Sequence, residues 1–246
     1  AHEIARDIDL LLSIFPFEKE WFAERVPYLD VGFIGPPLVD RYPDPSPGKP
    51  GNPPNLLILP GSREKEITRH LPPIAAAIDL LRDGNELNIS MVLPNENLAE
   101  LAKSVSPGVA GWNLEIGNIA AALKQADVAI ASSGTVTMEC AWFRVPTVVL
   151  YKTSWPTYAL GRWFINIPHI AMPNVLAGHE IFPEFIQGEA TGKNLARAVE
   201  RFLFGKETRK KICAELDKVA GTLGEKGAAG RAANAVIAQM DKPMHL

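Results

Sequence analysis

Short apolar runs that alternate with helix-periodic segments constrain the fold of this chain more than any other feature of its sequence. Each run has the length of a strand, and the segment after it has the period of an amphipathic helix. The predicted strands are Asn55–Leu59, Ile89–Leu93, Asn113–Glu115, Asp127–Ile130 and Thr147–Tyr151. Because parallel strands need a crossover connection, this alternation predicts an α/β fold with a Rossmann-like, doubly wound parallel sheet.

The predicted domain organisation has four parts. Residues 1–42 carry two short strands and a helix, and residues 43–54 are rich in Pro and Gly, which is typical of a linker or of a long surface loop. Residues 55–190 form the Rossmann-like domain, and residues 191–246 are predicted to be helical. Because the first residue is Ala1 and not Met, we expect a chain that begins within a larger protein or has been trimmed.

Composition and charge argue against several classes of function. With 47% hydrophobic and 22% charged residues, the 246-residue chain has the composition of a soluble globular protein. The net charge of −3 gives no electrostatic basis for binding nucleic acid. No apolar run has the length of a membrane span. Neither Cys140 with Cys213 nor the five histidines show metal-ligand spacing, so no metal site is predicted, and we expect reduced thiols in the cytosol.

The turn after the fourth predicted strand is the strongest candidate for a binding site. Ser133, Gly134 and Thr135 precede a predicted helix, Val136–Phe143, where free backbone N–H groups and the helix dipole attract anions. Glycine lets a phosphate approach the backbone. Glu139 follows about one turn later, where its carboxylate can accept hydrogen bonds from a ribose diol. These features indicate a nucleotide-diphosphate site, and the alternative is an ordinary helix N-cap.

Two other strand ends carry polar loops at the same predicted edge of the sheet. After the first predicted strand, Gly61 permits a tight turn, Ser62 can cap the next helix, and Arg63 offers a planar fork that suits a diphosphate. The alternative for Arg63 is a surface ion pair with Glu64 or Glu66. A third polar loop follows the fifth predicted strand. Because the Gly-x-Gly-x-x-Gly, Walker and Gly-x-Ser-x-Gly motifs are absent, dinucleotide, ATP and serine-hydrolase functions lose support.

Further candidate residues lie between the last predicted strand and the C-terminal helices. Asn174 lies in a predicted loop at residues 172–174, and its two-sided amide can bind a phosphate or sugar hydroxyl or can make an Asx turn. Gln187 has the same two interpretations. A predicted helix around Tyr158–Phe164 carries aromatic residues that indicate either a membrane or acyl-chain contact or ordinary core packing. These aromatic residues are Trp155, Tyr158 and Trp163.

Several motifs recur in a fixed order along the chain. They are Phe15-Pro16-Phe17-Glu18, Leu59-Pro60-Gly61-Ser62-Arg63 with Glu66-Ile67, Ser133-Gly134-Thr135 with Glu139, Tyr151-Lys152, Pro173-Asn174 with Ala177-Gly178, and Pro183-Glu184 with Gln187. Each is weak alone, but their order and spacing are specific. From about Asp9 to Gln187 the chain resembles the lipid-A-disaccharide synthase family of GT-B glycosyltransferases, with a looser match in the final helices.

The resemblance implies the donor half of an inverting hexosyltransferase that needs neither a metal nor a cofactor, since the UDP-sugar is a substrate. Such an enzyme joins UDP-2,3-diacylglucosamine to 2,3-diacylglucosamine 1-phosphate and forms the β-1,6 disaccharide of lipid A. By this similarity Arg63 and Asn174 are needed for catalysis, and Gln187 lies near the donor sugar. The implied UDP-binding residues are Gly61, Ser62, Ser133, Gly134, Thr135 and Glu139. The implied location is cytoplasmic and peripheral, on the inner face of the bacterial inner membrane.

The chain departs from the family pattern at three points. Pro36 follows Gly35 where the family usually has His, and His179 stands where Arg is more common. We find no equivalent of the family's N-terminal half, with its acceptor site and its expected Asp base, so such a half or a partner chain is an expected partner. The alternatives are another UDP-sugar GT-B enzyme, either an epimerase or a soluble transferase, and a non-catalytic nucleotide-sugar-binding module.

Overall fold

A computed structural model describes residues 1–42, 51–154 and 168–241 of the chain. By its internal contacts the chain divides into two compact units. The first unit combines Ala1–Asp44 with Lys218–Leu246, and the second unit is Pro45–Asp217. Among the described residues, no helix is both long enough and apolar enough to cross a bilayer.

The secondary structure follows the predicted alternation of strands and helices. In chain order the strands are β1 (Leu10–Ser13), β2 (Asp30–Phe33), β3 (Asn55–Leu59), β4 (Asn88–Leu93), β5 (Asn113–Ile116), β6 (Val128–Ser132), β7 (Thr147–Tyr151) and β8 (Glu184–Ile186). The α-helices are α1 (His2–Asp7), α2 (Pro16–Arg25), α3 (Leu38–Arg41), α4 (Glu64–Arg82), α5 (Glu96–Val105), α6 (Ile119–Gln125), α7 (Val136–Trp142), α8 (Met172–Ala177), α9 (Gly192–Phe204), α10 (Lys206–Thr222) and α11 (Ala228–Met240). Each of the five strands predicted between residues 55 and 151 is present.

The second unit contains a six-stranded sheet with the strand order β5-β4-β3-β6-β7-β8. All of its neighbouring strands pair in parallel. The central strands β3 and β6 are buried along nearly their whole length. Helices supply the crossover connections, which confirms the predicted Rossmann-like, doubly wound fold.

Helix α4 differs from its predicted form. The pair Pro72-Pro73 predicts a kink or a new helix start, and α4 continues through both prolines as one helix, so there is no new start at this point. The side chains of its inner face are fully buried in the core. We attribute the continuity to this burial, because the loss of backbone hydrogen bonds is offset by apolar contacts along the whole helix.

The structure also differs from the prediction at residues 172–174, which form the start of helix α8 and not a loop. Pro173 lies in the first turn, where its missing N–H has no cost. The helix ends at Gly178, which has the left-handed backbone conformation common at helix C-termini. The helix predicted around Tyr158–Phe164 lies outside the described residues.

The C-terminal helices are divided between the two units. Helix α9 belongs to the second unit, where its apolar face joins the same core as α4. Gly192 makes this close approach possible, because a Cβ there would lie 2.7 Å from the Cβ of Ala76. Residues 191–246 were expected to form one separate group, and the boundary of the units lies instead at Asp217 and Lys218.

The first unit joins the two ends of the described chain. Strands β1 and β2 pair in parallel with Leu10 opposite Asp30. The carboxylate of Asp40 accepts hydrogen bonds from backbone N–H groups at the start of α11, and this bonding lowers the pKa of Asp40. Arg231 of α11 also donates to the carbonyl of Ile34. These contacts explain why α11 groups with the first strands.

Candidate functional site

The order of the strands reverses between β3 and β6. From β3 the chain proceeds outward through β4 and β5, then returns to place β6 on the other side of β3. Leu59 and Ala131 are paired at the carboxyl ends of these two strands. In doubly wound sheets, ligands bind in the crevice outside such a pair of strand ends. The structure therefore brings the loop after β3 and the turn after β6 to one crevice, and the loop after β7 lies beside them.

The loop after β3 is shaped by Glu66, whose side chain folds back over Gly61. A Cβ at Gly61 would lie 2.3 Å from Oε2 of Glu66, and the backbone φ of +128° also favours glycine. The Glu66 carboxylate accepts the backbone N–H of Ser62 at 2.8 Å and Nη1 of Arg63 at 3.1 Å. The predicted tight turn at Gly61 is confirmed. The expected cap by the Ser62 hydroxyl is wrong, because Arg63 is the N-cap residue of α4 and the helix start has no side-chain cap bond.

Arg63 is the exposed cation of this loop. Its side chain is 81% exposed and forms its ion pair with Glu66, which was one of the two alternatives at this position. An exposed ion pair of this kind contributes at most about 1 kcal/mol. An anionic ligand can therefore replace Glu66 as the partner of the Arg63 guanidinium at small cost.

The turn after β6 presents backbone N–H groups to solvent. Gly134 and Thr135 are exposed, and within the described residues no acceptor faces their N–H groups. Thr135 makes no side-chain cap at α7, and the Ser133 hydroxyl donates instead to the carbonyl of Ile170 at 2.9 Å. The alternative of an ordinary side-chain N-cap is therefore wrong. The half-buried Glu139 lies in the first turn of α7, as predicted.

Asn174 is fully buried, and its side-chain amide has no hydrogen-bonding capacity left. Its Oδ1 accepts from the N–H groups of Ile181 and Phe182 at 2.8 and 2.9 Å. Its Nδ2 donates to the carbonyl of Phe182 and to Oε1 of Glu184, both at 2.7 Å. An amide makes four such bonds at most. The Asx-turn alternative is therefore wrong, and the geometry shows Asn174 holding residues 181–184 against α8.

Glu184 connects Asn174 to the turn after β6. Its carboxylate accepts the backbone N–H groups of Ile170 and Ala171, each at 2.9 Å, at the start of α8. The carbonyl of Ile170 in turn receives the Ser133 hydroxyl. A continuous set of hydrogen bonds thus runs from Asn174 through Glu184 to Ser133. No individual role is predicted for Glu184 from the sequence, because its partners are backbone groups remote from it in the chain.

Gln187 joins the ends of β7 and β8. It is buried, and its amide makes two hydrogen bonds with the backbone of Thr153, at 2.9 and 3.1 Å. The Nζ of Lys152 donates to the Gln187 carbonyl at 2.9 Å. The φ of Gln187 is +52°, in the left-handed region that non-glycine residues seldom adopt. The backbone of Thr153 therefore occupies the amide that was predicted to contact a donor sugar.

His70 also lies at this edge of the sheet, and no role was predicted for it from the sequence. It is fully buried on α4, with Nδ1 2.6 Å from the carbonyl oxygen of Pro60 and Nε2 3.0 Å from the backbone N of Lys152. Burial lowers the pKa of His70 from its ordinary value. A signal for this position exists in the sequence, since a lone His on the apolar face of a helix needs polar partners.

The two cysteines match the expectation of unpaired thiols. Cys140 is fully buried on α7, where burial raises the pKa of its thiol to about 12, and Cys213 is partly buried. Within residues 1–42, 51–154 and 168–241, no cluster of three or more His, Cys, Asp or Glu side chains could hold a metal ion.

The chain is similar to proteins of one family along nearly its whole length. The profile of the lipid-A-disaccharide synthetase family matches residues 1–236. The lipid-A-disaccharide synthase of Anaeromyxobacter dehalogenans is 34% identical over 252 residues, and that of Geobacter metallireducens is 36% identical over 256 residues. Each alignment covers 98% of this chain and 65% of the relative. The chain thus spans about two-thirds of the length of these relatives.

Solved structures show the same fold at low sequence identity. A structure of Staphylococcus aureus MnaA with UDP aligns with a TM-score of 0.65 at 14% identity, covering 100% of this chain and 64% of that one. WaaG, a glycosyltransferase involved in lipopolysaccharide biosynthesis, aligns with a TM-score of 0.54 at 15% identity, covering 92% of this chain and 62% of that one. With the GT-B type of fold and the match over residues 1–236 both established, the chain belongs to the lipid-A-disaccharide synthase family.

Proposed function

We propose that this chain carries the donor site of a hexosyltransferase that joins UDP-2,3-diacylglucosamine to 2,3-diacylglucosamine 1-phosphate. The product would be the β-1,6-linked disaccharide of lipid A. The observation that carries the proposal is the reversal of strand order between β3 and β6, whose paired carboxyl ends bring the Arg63 loop and the exposed Gly134 and Thr135 to one edge of the sheet. Membership of the synthase family supports this choice of substrates.

The proposed role of the crevice is to bind and stabilise the departing UDP. The acceptor hydroxyl gives its proton to a base and attacks C1 of the donor sugar, the bond from C1 to the diphosphate oxygen breaks so that UDP leaves, and the configuration at C1 inverts. Negative charge then increases on the diphosphate. Arg63 and the N–H groups of Gly134 and Thr135 are fixed donors that would stabilise this charge without an added metal. Glu139 would accept hydrogen bonds from the ribose diol.

In this proposal Asn174 and Gln187 do not contact the donor but maintain the shape of the site. Asn174 would act through Glu184 and Ile170 on the orientation of Ser133, since its own amide is fully occupied. Gln187 would hold the loop after β7 in place through Thr153. Both are positioning residues in this proposal, and loss of either would move the groups that touch the donor.

In this proposal, the acceptor site and the catalytic base come from sequence outside this chain. The chain spans 65% of the length of its relatives, so we expect transfer to require an N-terminal half or a partner chain. Both substrates are lipids, and we therefore propose a cytoplasmic protein that contacts the inner face of the bacterial inner membrane.

Calorimetric titration with UDP in the presence of EDTA tests the donor site. We expect saturable binding in the micromolar range, equivalent to about −8 kcal/mol. Addition of excess Mg²⁺ after EDTA is removed should leave the affinity unchanged. Absence of binding, or binding only with Mg²⁺, would contradict the proposed metal-independent site.

Product analysis separates the proposed reaction from other UDP-sugar chemistry. The part of the Geobacter metallireducens relative that lies outside the alignment is joined to this chain for the test. We expect the joined protein to form disaccharide from the diacylated donor and acceptor. Turnover of unacylated UDP-N-acetylglucosamine, with no disaccharide product, would favour an epimerase or a soluble transferase instead.

A further inference from the structure

His70 forms a bridge between two loops at the carboxyl edge of the sheet. Its Nδ1 lies 2.6 Å from the carbonyl oxygen of Pro60, directly after β3, and its Nε2 lies 3.0 Å from the backbone N of Lys152, directly after β7. In the strand order β6 lies between these two strands. The bridge therefore spans the end of the strand that leads into the Ser133 turn.

The two partners of His70 fix its chemical state. Lys152 offers an N–H group, so Nε2 must accept, and Pro60 offers a carbonyl oxygen, so Nδ1 must carry the proton. Only the neutral ring with the proton on Nδ1 makes both bonds. A doubly protonated ring would leave the Lys152 N–H facing another donor inside a fully buried site.

The charged and titratable groups near the ring act in opposite directions. Burial lowers the pKa of His70 most strongly, and the ammonium of Lys152 lowers it further, whereas the carboxylate of Glu66 and the carbonyl of Pro60 raise it. The ring of Tyr151 lies 6.2 Å from that of His70, centre to centre. The net effect keeps the ring neutral at neutral pH.

The bridge continues on both sides into the candidate site. On the β3 side, Pro60 leads into the Gly61 turn and Arg63. On the β7 side, the Lys152 side chain donates to the Gln187 carbonyl, and Thr153 is bonded to the Gln187 amide. We propose that His70 is a positioning residue that couples the loop after β3 to the loop after β7, and that the coupling requires the neutral imidazole ring.

Two substitutions separate the hydrogen bonds of His70 from its volume. His70→Gln retains one donor and one acceptor and cannot be protonated, whereas His70→Phe retains a planar ring with neither. On the basis of the proposed donor site, we expect His70→Phe to weaken UDP binding about tenfold and His70→Gln to stay within about threefold of the wild type. Equal affinity of wild type and His70→Phe would overturn the proposal.

The pH profile supplies a readout that a purely space-filling role would not change. UDP loses a phosphate charge near pH 6 in every variant, so the informative quantity is the ratio of wild-type to His70→Gln affinity. This ratio should fall only below the ordinary titration range of imidazole, because burial lowers the pKa of His70 and the wild-type ring takes up its second proton at a correspondingly lower pH. A ratio that stays constant through the pH range in which 15N NMR shows the wild-type ring taking up its second proton would contradict the requirement for a neutral ring.

A measurement without ligand distinguishes failure of this proposal from failure of the proposed function. Long-range 15N NMR of the imidazole should show the proton on Nδ1, and the Lys152 amide should exchange more slowly in wild type than in His70→Phe. If UDP does not bind but both signals are as expected, the donor site is wrong and the coupling stands. A proton on Nε2, or unchanged Lys152 exchange, overturns the coupling whether or not UDP binds.

Discussion

At the scale of single residues, the groups proposed to touch the nucleotide are exposed and those that hold them are buried. Arg63 and Gly134 face solvent, whereas His70, Asn174 and Gln187 are buried with every side-chain polar atom bonded. This separation has a physical cause, because a buried polar group without a partner is costly. Substitutions of the two kinds should therefore have different effects on ligand affinity and on folding.

Arg63→Ala should reduce UDP affinity without affecting the fold. The side chain is 81% exposed and pairs with Glu66, so the free energy of unfolding should change by less than about 1 kcal/mol. Loss of a charge-assisted contact to the diphosphate should lower affinity about 10- to 100-fold. Calorimetry and urea denaturation measure the two quantities.

Arg82→Ala is the matched control for this prediction. Arg82 is also exposed and lies on the same helix, but at its C-terminal end, away from the candidate crevice. We expect UDP affinity to stay at the wild-type value in this variant. Equal losses in Arg63→Ala and Arg82→Ala would show that only the net charge matters.

Glu139→Gln should lower affinity for UDP more than affinity for 2′-deoxy-UDP. The proposed carboxylate contact is to the ribose diol, and a hydrogen bond to a charged group contributes about 1.5–3 kcal/mol. The loss for UDP should therefore be about tenfold or more, with a smaller loss for the deoxy analogue. The same loss for both ligands would exclude a contact with the 2′-hydroxyl.

How far the site was predictable depends on where each residue finds its partners. Gly61, Arg63 and Glu66 lie close together in the sequence, so their contacts with one another can be predicted from their spacing along the chain. Asn174 and Gln187 are different, because Asn174 binds the Glu184 carboxylate and backbone groups of residues 181–182, and Gln187 binds the backbone of Thr153. Nothing in a local pattern distinguishes an amide that binds a remote backbone from one that binds a sugar.

At the scale of elements, helix α9 packs so closely against α4 at Gly192 that there is no room for a side chain at this position. A Cβ at Gly192 would lie 2.7 Å from the Cβ of Ala76 and 3.1 Å from the backbone N of Ala77. Backbone atoms cannot yield as a flexible side chain does. The distance between the two helices is therefore set by the absence of a side chain at Gly192.

Gly192→Ala should destabilise the second unit by about 1–3 kcal/mol in urea denaturation, the usual cost of overpacking. Gly108→Ala is the matched control, because nothing lies within 4 Å of a Cβ at Gly108. The control should be neutral or slightly stabilising, since alanine restricts the unfolded chain. Equal stability of the two variants would mean that α9 can shift without cost.

The predicted helices and strands agree best with the structure where the periodic pattern of apolar residues is long. Strands β3, β4, β6 and β7 could be recognised because each is a mainly apolar run of strand length beside a helix-periodic segment, whereas β5 was predicted from a short segment that contains Asn113 and Glu115. Helix α8 was predicted as a loop because it has six residues and begins with Met-Pro-Asn, a composition typical of turns. Its stability comes from the Glu184 carboxylate at its start, a partner on a different element.

At the scale of the whole molecule, the described residues of the candidate crevice lie in the second unit. We expect UDP to slow hydrogen exchange in the loops after β3, β6 and β7, and to leave β1 and α2 of the first unit unchanged. At a concentration of about 100 times Kd, the ligand should add about 2.7 kcal/mol to the opening free energy of the segments that must open for it to leave. Equal protection in both units would contradict a donor site confined to the second unit.

The pairing of β3 with β6 also determines when the crevice can exist during synthesis. Leu56 pairs with Val128, so the central contact of the sheet closes a loop that contains β4, β5 and their helices. Contacts between residues so far apart in sequence raise contact order, and they form late because the entropy of loop closure must be overcome first. On the ribosome, a nascent chain that ends before β6 has the Arg63 loop but no opposing wall. We expect nucleotide affinity to arise abruptly with chain length, once β6 and the Ser133 turn have left the exit tunnel.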